Sequence, residues 1–341
     1  MPLLRRYNFL STIRDVISID TYEGYSLEEL CLTLFYFDLF RFESMENFKT
    51  VYPEEFGQLI GRISSPSIHT LRRFLHKVKG LSKSEELIDE FAKGYLKSDI
   101  VKWGVLYIDS HFLPYHGIYC VSMGWHGVRK IPMKGSYNFI AIDERYNPLL
   151  FLIRSSSEDL LQKIPEIIIK ARKIAKDAGV AEEEIKDLVV IFDREGYSAE
   201  LFRTLDGKDR DNGKFKARFI TWAKYTDKWV EDIGDERFDK TVTVTYEIQE
   251  SEEIKYFETE RAMKKYGKIR AIVIESGRDK KRTAIYTNDK ESSCEIIVQL
   301  ICRRWGQENL IKELMYKHEI EYSPGYEANE IEDQPMVENP K

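Results

Sequence analysis

Up to about residue 100 the apolar positions recur with helical spacing. SLEELCLTLFYFDLF opens on a serine where an N-cap belongs and continues with a broad apolar face. Two shorter helices are predicted after it, PEEFGQLIG and SSPSIHTLRRFLHKVKG, the second with Ser65 as N-cap and Pro66 in the first helical position. Its apolar stripe is Ile68, Leu71, Leu75 and Val78, which leaves Arg72, Arg73 and Lys77 largely off the stripe. A short helix, a turn containing Gly61 and a second helix carrying arginines form the pattern of a helix-turn-helix. An amphipathic bundle helix with solvated cations fits the same residues equally well.

From residue 101 the period shortens to that of strands. VKWGVLYIDSHF is β-rich and runs into a carboxylate; IYCVSMGW, SYNFIAID and NPLLFLIRS follow as a meander, separated by Gly-, Pro- and Asn-bearing turns. Next come a long amphipathic helix (EDLLQKIPEIIIKARKIAKDAG), a short and strongly apolar strand (DLVVIFDREGYS), a short helix (SAELFRTL) and another strand (ARFITWAKY). Strands that return parallel after crossover helices require a mixed sheet with helices on its faces. Between about 226 and 290 the pattern alternates again (TVTVTYEI, IRAIVIES, RTAIYTN), broken by charged turns such as GRDKKR, and the last helix is ESSCEIIVQLICRRWGQENLIKELMYKHE. The chain therefore divides into an all-α segment 1–100, an α/β part 101–225, a β-rich insertion 226–290, a closing helix 291–320 and a polar tail 321–341.

A chain of 341 residues with 43% hydrophobic and 13% aromatic residues can build a sizeable core, which excludes a disordered protein. Its apolar runs are too short for a membrane span, and MPLLRRYNFLSTIRD lacks the uninterrupted core of a signal peptide. Cys31, Cys120, Cys294 and Cys302 are scattered without a C-x-x-C pair, which argues against a structural zinc or a disulfide framework and suits a reducing cytoplasm. The net charge of −6 counts against coating nucleic acid through bulk charge. A local basic groove is still compatible with it, because many acids concentrate in SEELIDE and EANEIEDQPMVENPK.

Three of the remaining acids carry the candidate chemistry. Asp109 follows the apolar GVLYI, and Asp193 follows LVVIF. An ionised carboxylate at the end of a buried strand is costly unless a cation or hydrogen bonds compensate it. Each has an ordinary explanation alone: Asp109 capping a turn, Asp193 pairing with Arg194 or capping the next helix. The third is Glu308 in RRWGQENLIKEL, one helical turn after Arg304 and one before Lys312. Surface pairing at that spacing is worth only about 0.2–0.5 kcal/mol per pair. Together, two carboxylates on neighbouring strands and a third from a helix on the same sheet meet the requirement for Mg²⁺ or Mn²⁺, with two ions acting on a phosphodiester.

This order of elements resembles the ribonuclease H-like core of DDE transposases of bacterial insertion sequences, over roughly residues 101–320. Asp109 of LYIDSHFLPYHG matches the family's first aspartate, Asp193 of IFDREGYS its second, and Glu308 of RRWGQENLIKEL its helical glutamate. KGSYNF before PLLF is similar to the family's strand-turn text, and a β-rich insertion before the glutamate occurs in one large group. That group also has a tyrosine three residues before the arginine and a lysine seven after the glutamate, where this chain has Ile301 and Met315. The resemblance implies an α/β fold with a ribonuclease H-like mixed sheet flanked by helices, a β-rich insertion and an N-terminal all-α, end-binding domain. It implies a magnesium-dependent enzyme that cuts at terminal inverted repeats and transfers the freed 3′-hydroxyl to target DNA, working as a homodimer on paired double-stranded ends in the cytoplasm. Arg304 or Lys312 would contact end phosphates, and Arg72, Arg73 and Lys77 would serve end recognition. A transposase-derived DNA-binding protein that has lost catalysis, or a ribonuclease H-like nuclease without strand transfer, would share these features.

Other residues add less. His111 lies two positions after Asp109; D-S-H also opens metallophosphoesterase sites, but no G-D or G-N-H motif follows. His116 and His126 read as structural or surface residues. Trp222 and Trp229 fit core packing better than base stacking, the 279–282 turn fits a solvated hairpin tip as well as a phosphate contact, and Tyr197 either nears the site or bonds its own helix start.

Overall fold

The computed structural model describes residues 2–19, 24–42, 44–127, 129–209, 213–246, 251–318, 320, 328 and 330–332. Most of the 321–341 tail, and the end of the TYEI segment, lie outside these residues.

Six helices come first: α1 (Pro2–Arg6), α2 (Phe9–Val16), α3 (Leu27–Leu39), α4 (Pro53–Leu59), α5 (Ile68–Leu81) and α6 (Ser84–Lys97). Ser26 caps α3 in a reciprocal box with Glu29, each side chain meeting the other residue's backbone N–H. The second expected cap is displaced by two residues. Ser67, not Ser65, caps α5 by accepting the Thr70 N–H at 3.1 Å. Ser65 lies before the helix and is engaged elsewhere, its N–H donating to the Pro53 carbonyl. Leu30, Phe37, Phe48, Phe56, Leu71 and Phe74 form the core of this helical part.

The remainder is one mixed sheet with helices on its faces. Its elements are β1 (Val105–Pro114), β2 (Met123–His126), β3 (Ile131–Ile142), β4 (Pro148–Ser155), α7 (Leu160–Ala178), α8 (Glu182–Lys186), β5 (Val189–Phe192), α9 (Ala199–Leu205), β6 (Arg218–Trp222), α10 (Asp227–Glu231), β7 (Lys240–Thr245), β8 (Ser251–Met263), β9 (Gly267–Glu275), β10 (Arg282–Thr287) and α11 (Cys294–His318). The strand order is β2-β3-β1-β5-β6-β10-β9-β8-β7, with β4 also paired with β3. The β1–β5 and β5–β6 pairs are parallel, and the other pairs are antiparallel.

Alternation along these strands builds two cores. Leu106, Ile108, Val190 and Phe192 face one way, into the cluster that contains Ile164, Ile167 and Ala171 of α7. Tyr107, Val189 and Ile191 face the other way, against Ile297, Val298 and Ile301 of α11. A strand buried on both faces reads as an unbroken apolar run, as VVIF does. Helix α6 lies with the sheet as well as with its own neighbours: Ala92 is inside the α7-side core, and Glu85 bonds Arg154 of β4 at 2.7 Å and Lys170 of α7 at 2.8 Å.

Strand β8 is absent from the sequence reading. Its charged positions hide the period, since Glu258 meets Arg270 of β9 at 2.6 Å while Ile254 and Tyr256 are buried. The IYCVSMGW strand is shorter than its text, only Met123–His126 being paired.

Candidate active site

The parallel register sets the position of the two aspartates. Ile108 of β1 aligns with Phe192 of β5, so the next residues, Asp109 and Asp193, stand side by side. Each is two residues beyond a side chain of the α11-side core, Tyr107 or Ile191, and so faces α11. Asp109 is not at a strand end: β1 runs on to Pro114 along β3, and only its pairing with β5 stops at Ile108. Asp193 follows β5 directly and precedes a single 3-10 turn, Arg194–Gly196, whose N–H groups its side chain does not cap. Arg194 does not pair with it either; its guanidinium reaches Thr283 Oγ1 at 3.3 Å.

The third acid comes from α11. Ile297, Ile301, Arg304, Glu308 and Ile311 recur at three- and four-residue steps along the inward face of that helix. Two tyrosines fix it to the sheet. Tyr107 donates its hydroxyl to the Leu300 carbonyl at 3.0 Å, and Tyr146, from the turn between β3 and β4, donates to the Arg303 carbonyl at 2.9 Å. A methyl group on Gly306 would fall inside van der Waals contact of the Tyr146 ring, 2.7 Å from its hydroxyl oxygen, so only glycine lets the helix come this close.

Asp109, Asp193 and Glu308 meet at one cation, the guanidinium of Arg304. Its Nη2 lies 2.5 Å from Glu308 Oε1 and 3.9 Å from Asp193 Oδ1, and its Nη1 lies 3.5 Å from Asp109 Oδ2. The Arg304 side chain is only 11% exposed. It is therefore turned into the site among the acids. The stripe that carries Glu308 inward carries Arg304 with it. Burial pushes the Asp109 carboxyl up to about 7, with Glu195 and Asp193 adding their charge, while Arg304 and the Ser110 N–H oppose the shift. That N–H holds Asp109 Oδ1 at 2.8 Å.

Glu195 is a fourth acid at this place that the sequence reading passed over. Its Oε2 accepts the Ser110 hydroxyl at 3.3 Å. Its one sequence signal is the spacing of two residues from Asp193 in DRE.

As donors, three carboxylates are the hard oxygen ligands that Mg²⁺ or Mn²⁺ takes, and all three point at one positively charged centre. Among the described residues, no three acidic, histidine or cysteine side chains are closed on a single ion as they stand. The donor set fits a divalent ion in its chemistry, and in this arrangement the Arg304 guanidinium occupies the centre between the acids.

The other candidates lie elsewhere. Lys312 sits over the exposed Trp305 ring at 5.3 Å. Arg72, paired with Glu46, and Arg73 and Lys77 are on α5 in the helical part. His111 is opposite Asn138 in the β1–β3 pair. Tyr197 packs its ring on Phe202 and Tyr286, and Trp229 is partly buried in the α7-side core under Arg261. In the 279–282 turn, Arg282 folds back onto Glu275 at 2.8 Å. On the α11 side of the sheet, a cleft of about 490 Å³ is lined by Trp222, Tyr246 and Trp305, by Arg278, Lys281 and Arg303, and by Glu252 and Asp279.

No described helix is long and apolar enough to cross a membrane. No curated protein matches the sequence. Among solved structures, the chain is similar to a piggyBac transposase in a synaptic complex with hairpin DNA, at 11% identity and a TM-score of 0.44, over 92% of this chain and 64% of that one. A family model described as "Transposase protein" matches residues 3–341, which is nearly the whole chain. The chain belongs to this transposase protein family.

Proposed function

We propose that this transposase cuts and joins DNA at a ribonuclease H-like core, with Asp109, Asp193 and Glu308 as the acids that hold Mg²⁺ or Mn²⁺, two ions in all. One observation carries the reading: acids from two neighbouring strands and one helix, separated by up to 199 positions in the chain, converge on a single cationic centre. Antiparallel β1, β3 and β4 followed by crossovers to parallel β5 and β6 support the core assignment.

Divalent ions at such a site supply a deprotonated nucleophile at neutral pH and neutralise charge building on the phosphate. The protein's own part is positioning. Asp109 is rigid in mid-strand with one oxygen held by the Ser110 N–H, which leaves the other turned to the centre. Asp193 stands beside it at the mouth of β5, and α11, tied down by Tyr107 and Tyr146, delivers Glu308. Hydrolysis there frees a 3′-hydroxyl, and the same acids serve its attack on target DNA. Arg72, Arg73 and Lys77 on α5 suit end recognition. Lys312 and the aromatic residues of the cleft, with Lys281 and Arg303, suit a nucleic-acid strand leading to the acids. The working form is a homodimer on paired ends of a bacterial insertion sequence, in the cytoplasm.

The test uses purified protein and DNA fragments taken from either side of its own coding sequence. Asp109→Asn or Asp193→Asn abolishes Mg²⁺-dependent nicking and spares gel-shift binding. Undiminished cleavage by either variant removes the mechanism.

A further inference from the structure

Arg304 has no ordinary reason to be buried beside the sheet. A guanidinium taken out of water is costly unless carboxylates surround it, and three carboxylates brought together without a cation repel one another. In this structure each solves the other's problem. The two terminal nitrogens divide the work, Nη1 toward Asp109 and Nη2 toward Asp193 and Glu308. A planar fork of donors suits several carboxylates at once in a way that a lysine ammonium does not.

The charges are poorly matched, however. One guanidinium serves three carboxyl groups, and a fourth, Glu195, is held close by through the Ser110 hydroxyl. A divalent ion compensates the same acids better and needs the same oxygens. The guanidinium also ends a long, rotatable side chain, so the exchange requires a change of Arg304 rotamer.

We infer that Arg304 is a positioning residue that gathers the three acids before metal arrives and is exchanged for metal when it binds. This rests on the metal-site reading above. Arg304 and a divalent ion are then competitors, and removing the guanidinium tightens metal binding while it loosens the metal-free protein. An ordinary helix-to-sheet ion pair predicts only the second effect, and a residue that merely props up the ligands predicts weaker binding.

The experiment titrates the full chain with MnCl₂, following free Mn²⁺ by electron paramagnetic resonance, and records the melting temperature in EDTA and in Mn²⁺. Wild type, Arg304→Met, Arg304→Lys and Asp193→Asn are compared. Arg304→Met is expected to bind Mn²⁺ with a midpoint about tenfold lower than wild type, the equivalent of one charge-assisted contact no longer competing. It is also expected to melt earlier in EDTA and to gain more from Mn²⁺. Arg304→Lys falls between the two, and carries the test if the methionine variant does not fold. An unchanged or higher Mn²⁺ midpoint in the arginine variants, with wild-type binding lost in Asp193→Asn, overturns the exchange and leaves the metal site standing. Failure of wild type and both arginine variants to bind Mn²⁺, or binding indifferent to Asp193→Asn, overturns the metal site and the exchange with it.

Discussion

Replacing Gly306 by alanine sets two physical effects of opposite sign against each other. In the interior of a helix, alanine is favoured over glycine by about 1 kcal/mol. At this position the new methyl group runs into the Tyr146 ring. Forcing an extra carbon into a packed contact costs about 1–3 kcal/mol. Tyr146 cannot withdraw without giving up its hydrogen bond to the Arg303 carbonyl, worth about 1 kcal/mol. Contact should outweigh propensity, leaving Gly306→Ala destabilised by roughly 1–3 kcal/mol. Gly94 in α6 is the internal control, since a methyl there meets nothing within 4 Å. Gly94→Ala should gain up to about 1 kcal/mol from propensity alone. Urea unfolding followed by far-ultraviolet circular dichroism measures both. A Gly306→Ala midpoint at or above wild type would refute the close approach of α11 to the β3–β4 turn, and with it the stated seating of Glu308.

Three further outcomes are expected. Tyr107→Phe removes a buried donor to the Leu300 carbonyl and should cost about 1 kcal/mol in the same unfolding assay. Ser67→Ala should cost about 1 kcal/mol through loss of the α5 cap, and Ser65→Ala, with no cap to lose, distinctly less. Hydrogen bonds from Arg154 and Lys170 lower the Glu85 carboxyl to about 2 from its ordinary value near 4.5. A depressed carboxylate stabilises the fold at pH values above its unfolded pKa, and that contribution fades as pH falls from about 4.5 to 2. Glu85→Gln should therefore be less stable than wild type at pH 7. The gap should close toward pH 2 and narrow in high salt, because Glu85 is half-exposed.

How much of this was legible varied with the kind of signal. An acid straight after an apolar run marks a strand about to end in VVIFD, but in GVLYID the strand runs on past Asp109 along β3 and only its pairing with β5 stops. A sequence does not show which face of a sheet receives a distant helix, yet the even spacing from Tyr107 to Asp109 and from Ile191 to Asp193 contains that information. The orientation of Arg304 is open in the sequence, because spacing four residues from Glu308 fits a solvent-facing pair as well as an inward one. Only the apolar stripe through Ile297, Ile301 and Ile311 decides between them. Strand β8 was hidden by charges that neutralise one another across the β8–β9 pair, a property of the pair and not of either text. Glu195 left almost no trace, because its place depends on how the turn after β5 folds back toward Ser110. Helix α6 shows why the division at residue 100 does not describe packing: its serine-acid start and polar face read like those of its neighbours, while Ala92 and Glu85 belong to contacts with the sheet.

Because α11 is the last described helix, the site has a birth order during synthesis. A growing chain exposes Asp109 first and Asp193 some eighty residues afterwards. Both then wait while the strands of the far half of the sheet are made. Until α11 leaves the ribosome and lies down along Tyr107, the two aspartates have neither Glu308 nor Arg304 opposite them. The gathering of the three acids around Arg304 is therefore completed only once α11 has been made and has packed on the sheet.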